Sequence, residues 1–144
     1  MNNNDKTYTK FKVLYDIIHN LKDQWDNGHD YERSHIETIV GAAIFYLPTN
    51  NKTFTGLISE EALLVEKKDR VKEHQYPRKI SANILMKNPP SSVEDLISQY
   101  DNKYGTWNYV TKKENSALRK FQTLEKFTTP EDSYKLANIN LKNI

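Results

Sequence analysis

The chain has 144 residues, 37% hydrophobic and 28% charged, which suits one ordinary domain with a modest core under a very polar surface. It has no cysteine, so disulfides, thiolate zinc sites, iron–sulfur clusters and cysteine nucleophiles are excluded together; any metal must sit on His, Asp, Glu, Asn or water. The net charge of +2 names no partner by itself, although a local basic patch can still act on one.

No run approaches the ~18–20 apolar residues that would span a bilayer, and Met1-Asn2-Asn3-Asn4-Asp5 lacks the basic-then-apolar start of a secretory signal. The expectation is a cytoplasmic protein with no membrane partner. The wealth of Asn, Lys and Ile beside only four Gly points to an AT-rich coding source, which concerns origin and not chemistry.

From Tyr8 to Trp25, Phe11, Leu14, Ile17, Ile18, Leu21 and Trp25 recur at three- and four-residue steps, the spacing of one helix face. Asp26-Asn27-Gly28 should stop that helix. Tyr31 to Tyr46 carries Ile36, Ile39, Val40, Ala43, Ile44 and Leu47 on a second apolar face, and Pro48 ends the pattern, so the two form an αα-hairpin. Residues 49–58, with Thr49-Asn50-Asn51-Lys52 and Gly56, read as a turn into a new segment, and Ser59-Glu60-Glu61 as a cap for a short helix. Ala62-Leu63-Leu64-Val65 fits either helix or strand.

Residues 66–79 are the most basic stretch. Asn88-Pro89-Pro90-Ser91-Ser92 breaks the chain and caps a short helix from Val93 to Tyr100 with Leu96 and Ile97 inward. Thr106-Trp107-Asn108-Tyr109-Val110-Thr111 alternates aromatic or β-branched with polar residues, as a strand does. Thr111 can cap a helix that buries Leu118, Phe121 and Leu124, and Thr129-Pro130 starts a last short helix to about Ala137.

Two segments concentrate chemistry. Arg70-Val71-Lys72-Glu73-His74-Gln75-Tyr76-Pro77-Arg78-Lys79 sets an acid directly before a histidine with a proline three residues later, and the strand at 106–111 leads into Lys112-Lys113-Glu114-Asn115. Together, over roughly residues 66–124, they resemble the HNH, or ββα-metal, nuclease family. The resemblance implies an α+β fold: a helical N-terminal part (1–58) packed on an HNH-like ββα-metal unit (59–128), followed by a short C-terminal helix and tail (129–144), all in one domain.

It also implies roles. His74 would be the general base, since a neutral imidazole accepts a proton near pH 7. Glu73 and the Asn115 amide oxygen would hold one Mg²⁺ or Mn²⁺, both of which favour oxygen ligands. Asn108 would orient His74, with Thr106 the other candidate for that place. Arg70, Lys72, Arg78, Lys79, Arg119 and Lys120 would grip DNA phosphates. One site per monomer nicks DNA; cutting both strands takes a homodimer or two successive events. Three departures from the family are Asn108 standing two residues off the register of the motif's central Asn, where typical spacing reaches Thr106, the missing zinc-binding cysteines, and Asn in place of the more frequent His at the last motif position.

Other readings compete. Leu63 to Lys68 offers a strand ending in Glu-x-Lys, as in restriction-type nucleases of the PD-(D/E)xK class, although the upstream acids Asp30, Glu32 and Glu37 fall in or near helix. A non-catalytic phage or bacterial accessory protein that binds DNA or protein through residues 66–124 would make His74 and Asn115 incidental. His19, His29 and His35 read as surface or capping residues. Trp107, Tyr109 and Tyr76 read as core or sheet-face residues rather than stacking platforms, because aromatics at strand spacing usually pack inward.

Overall fold

The computed structural model describes residues 3–48 and 51–144. Thr49 and Asn50, the start of the expected turn, lie outside the described residues, as do Met1 and Asn2. Helix α1 (Asn3–Asn27) buries Phe11, Leu14, Ile18 and Trp25, and α2 (Asp30–Phe45) returns against it with Ile36, Val40 and Ile44. Ile39, expected inside, lies 42% exposed on the outer side. The N-terminal helical pair is therefore present.

Two further helices share its core. The stretch 78–87, which the apolar pattern left unassigned, is α4 (Arg78–Lys87); it starts just after Pro77 and buries Ala82, Leu85 and Met86 at the three- and four-residue steps of one face. Helix α5 (Val93–Gln99) begins where expected, with the Ser92 hydroxyl accepting a hydrogen bond from the Asp95 amide. The α1–α2 pair thus buries its apolar face on α4 and α5, which are inserted between two strands.

The sheet has four strands, β1 (Thr53–Ser59), β2 (Arg70–His74), β3 (Thr106–Thr111) and β4 (Leu141–Asn143), in the order β2-β3-β1-β4. β1 and β3 run parallel; the other pairs are antiparallel. β1 occupies much of the stretch read as a turn. Gly56, at φ 84°, interrupts its register between Phe54 and Ile58 and so erases the alternation that marks a strand. Strands come from all three sequence stretches, so residues 1–58 are not helical throughout and the C-terminal tail contributes an edge strand.

Ser59 caps α3 (Glu60–Leu63), which leaves Leu63 and Leu64 42% and 87% exposed. Residues 62–65 therefore form no strand, and Glu66 pairs with Lys68 at 3.3 Å in open solvent. That removes the framework of the PD-(D/E)xK reading.

A wide, π-helical turn at 100–104 delivers the chain into β3. Gly105 is needed there, because a Cβ would lie 2.7 Å from Tyr100 Cε1 and 2.9 Å from its carbonyl oxygen. β3 runs straight into α6 (Lys112–Leu118) through a capping box: Thr111 Oγ1 accepts from the Glu114 amide, and Glu114 Oε1 accepts from the Thr111 amide. Leu118 is buried with Tyr134 and Ile139 in a second, smaller core. The chain tightens into a 3-10 turn at 119–121, so Phe121 is only half-buried and Leu124 is 45% exposed, unlike the continuous helical face expected. α7 (Pro130–Leu136) has the expected Thr129 cap. The fold is mixed α+β, and among the described residues no helix is long and apolar enough to cross a membrane.

Candidate functional site

β2 is an edge strand, and its unpaired side forms one wall of a cleft of about 630 Å³. Glu73, His74 and Lys72 reach the cleft from the strand, Arg78 and Lys79 from the start of α4, Asn115 from α6, and Gln122 from the turn beyond it. α2 closes the opposite side with Glu37 and Gly41. The two chemistry-bearing segments, distant in the chain, therefore line a common cavity.

Successive side chains of a strand point to opposite faces. Glu73 pairs across the strands with Asn108, and His74 with Trp107. Glu73 and Asn108 face α6 and α7, His74 and Trp107 face the other way, and the two members of the acid–His pair meet only around the free edge of β2.

The Glu73 side is a closed polar network. Tyr134 Oη donates to Glu73 Oε2 at 2.6 Å, Gln122 Nε2 donates to Oε1 at 3.0 Å, and Asn108 Nδ2 donates to Tyr134 Oη at 2.8 Å. The Thr55 hydroxyl donates to the remaining Asn108 oxygen. Glu73 is 3% exposed, and burial drives its carboxyl from an ordinary 4.5 up to about 7, against the opposing pull of the Tyr134 and Gln122 hydrogen bonds.

Asn108 does not orient His74. Its amide is spent on Thr55 and Tyr134, on the other face of the sheet from the imidazole. Thr106 does not serve either: its hydroxyl bonds Gln75 and the Lys103 carbonyl. What the sequence reading lacked was Tyr134 and Gln122, the two groups that hold Glu73; nothing in the spacing of either residue marks it.

His74 is partly buried and lines a second, smaller pocket of about 190 Å³ with Phe45, Lys52, Tyr76 and Arg78. Burial, with help from the positive charges of Lys52 and Arg78, holds its pKa below the usual 6.5, so the ring is neutral at pH 7. Of the remaining basic residues expected at the site, Arg70 is turned to the Ala62 carbonyl, and Arg119 and Lys120 are exposed beyond α6; none of these three lines the cleft. His19 bonds the Pro90 carbonyl, a structural use.

Among the described residues, no three His, Asp or Glu side chains gather as a metal cluster. Oxygen donors lining the cleft include the Glu73 carboxylate and the Asn115 amide, the Gln122 amide, the Thr38 hydroxyl and the Glu37 carboxylate, whose Oε2 already accepts from Trp25 and Asn83. Each Glu73 oxygen accepts one hydrogen bond and retains a second acceptor direction. Mg²⁺ and Mn²⁺ keep several waters and take ligands from a bound phosphate, so an ionised Glu73 with the Asn115 amide is the pair that would suit either ion.

The raised carboxyl gives a stability prediction. A folded pKa near 7 against 4.5 means the native state binds more protons between those values. The stability that Glu73 contributes should therefore be fully present below about pH 4.5 and be lost as pH rises to about 7, on the order of 1–3 kcal/mol. Glu73→Gln keeps the shape without the ionisation, so urea titrations across this range should show the dependence flattened and the variant more stable than wild type at pH 8. A wild-type slope that survives in the variant would assign it to other groups.

The chain was compared with protein-family models, curated proteins and solved structures, and none of them matches it.

Proposed function

We propose that this protein is a metal-dependent endonuclease of the HNH type that hydrolyses DNA phosphodiester bonds in the cleft at the β2 edge. The observation that carries the reading is the convergence of Glu73, His74 and Asn115, with Lys72, Arg78 and Lys79, on one cavity. The order β2, β3, α6, with the acid–His pair at the end of the first strand, is the order a ββα-metal unit requires.

In this reading His74, neutral at pH 7, takes the proton from a water whose oxygen attacks phosphorus, and the bond to the leaving oxygen breaks opposite it. Lys72, Arg78 and Lys79 neutralise the flanking phosphates. Glu73 and Asn115 are the side chains that would hold Mg²⁺ or Mn²⁺, which stabilises negative charge on the reacting phosphate. Asn108 and Tyr134 position Glu73.

A second reading, a non-catalytic nucleic-acid-binding accessory protein, is favoured by a specific observation: Glu73 is buried, doubly hydrogen-bonded, and on the opposite strand face from His74. Supercoiled plasmid incubated with Mg²⁺, with Mn²⁺ and with chelator separates the two. The nuclease reading expects metal-dependent relaxation or linearisation that chelator stops. Intact plasmid under both metals, with retention on DNA in chelator, is the result expected of a binder.

A further inference from the structure

The face of the sheet that carries His74 also carries Phe54, Trp107 and Tyr109. Phe54 and Trp107 stack at 4.6 Å between centroids, Trp107 and Tyr109 meet edge to face at 5.0 Å, and Tyr109 closes on Phe54 at 5.3 Å. None of the three belongs to either hydrophobic core, and each is only half-buried. Trp107 and Tyr109 are sheet-face residues, one of the two places expected for them, and with Phe54 they form a half-buried ring cluster outside both cores.

One cation lies over this face and two more border it beside His74. Lys72 Nζ lies 4.7 Å from the centre of a Trp107 ring. At the end nearer α2, Arg78 and Lys52 sit 4.7 and 5.8 Å from the Phe45 ring. Among the described residues no carboxylate forms an ion pair with Lys52, Lys72 or Arg78; the ion pairs present are Lys12–Asp16, Lys22–Asp26, Lys68–Glu66 and Lys142–Glu60. Positive charge left without counter-ions and apolar ring faces left without a core are complementary to one kind of polymer, an anionic backbone with unpaired planar bases.

We infer that this aromatic sheet face binds single-stranded nucleic acid, with bases stacked on Trp107, Tyr109 and Phe54 and phosphates held by Lys72, Lys52 and Arg78. A base in a duplex has both faces covered and cannot reach a side-chain ring, so a stacking surface selects unpaired strands. Because every base has a π-face, the selection is for strandedness and not for sequence. The inference does not rest on the nuclease reading: it needs neither the metal nor proton transfer by His74.

The test is fluorescence anisotropy of labelled oligothymidylate, oligouridylate, a duplex of equal length and polyphosphate, all in chelator so that no strand is cut. Oligothymidylate should bind more tightly than both the duplex and polyphosphate and quench tryptophan emission; the oligouridylate arm reports whether DNA or RNA is the better strand. Trp107→Leu should weaken single-strand binding by about ten- to a hundredfold, the loss of one stacked base. Tyr109→Leu is the second variant should the first fail to fold, with circular dichroism as the check on each. Lys72→Ala should weaken binding and lower the slope of log K against log salt by about 0.7. Equal affinity for duplex, equal affinity for polyphosphate, or unchanged affinity in both folded aromatic variants overturns the inference. A protein that binds oligothymidylate in chelator and never cuts plasmid retains this inference and loses the nuclease reading.

Discussion

His74→Ala is expected to slow plasmid cleavage by about 10²–10⁴-fold, the usual contribution of a positioned general base, with little change in thermal stability. The stability half of the expectation follows from placement. The imidazole is partly buried, lies between two pockets and belongs to neither core, so its loss opens little packed volume. Acidity provides a sharper signature than rate alone. A base works deprotonated, and His74 is held below its usual pKa by burial and by Lys52 and Arg78. At metal concentrations high enough to keep Glu73 ionised, the rate should therefore persist below pH ~6.5 before falling on further acidification. Lys52→Ala removes one of the nearby positive charges, so the ring takes up its proton more readily and the acid limb should move to higher pH. A His74→Ala protein that cuts at the wild-type rate would remove the histidine from the chemistry, and an acid limb indifferent to Lys52 would point to a different titrating group.

Asn108→Asp is expected to be among the most damaging single isosteric changes in the molecule, costing on the order of 3 kcal/mol or more at neutral pH. Asn108 is fully buried and lies directly across the strand pair from Glu73, with Tyr134 Oη between them. In wild type the amide donates to the phenol oxygen and the phenol donates to the carboxylate, so every proton on the relay has an acceptor. An aspartate cannot donate to Tyr134 when ionised, and it places a second carboxylate in a site that already pushes the first up to about 7. Both acids favour protonation in the folded state. The deficit should accordingly be small at pH 4 and grow through neutrality, which denaturant titrations at the two pH values would read. An equal loss at both would mean that the amide's hydrogen-bond donation to Tyr134, and not the absence of charge, is what Asn108 supplies.

These two residues also mark how far the sequence could be read. The α1–α2 pair, α5, β3 and its capped helix were legible because each is written locally: apolar residues at helical steps, Ser92, Thr111 and Thr129 at helix starts, and strand alternation from Thr106 to Thr111. β1 was hidden by the irregularity at Gly56, and β4 by its brevity, since Leu141–Asn143 becomes a strand only by pairing with β1. Residue type and order suffice to mark His74, Glu73 and Asn115 as a set. The side of β2 on which each residue points was not legible, because facing depends on register, and register is fixed by the partner strand. Motif order assigns Asn108 to His74; pairing with Glu73 overrides it. Tyr134 and Gln122 carry no local mark, as both acquire their roles only when α7 and the turn after α6 close over the sheet.

The parallel pairing of β1 with β3 has a consequence for how the molecule comes into being. Thr53 and Phe54 meet Thr106 and Trp107 only after the whole intervening segment, with β2, α4 and α5, has been looped out. Such distant closure is entropically slow compared with winding the local helices. The helical pair can therefore form early during synthesis, whereas the cavity at β2 and the ring cluster beside it have no existence until residue 111 has joined the sheet.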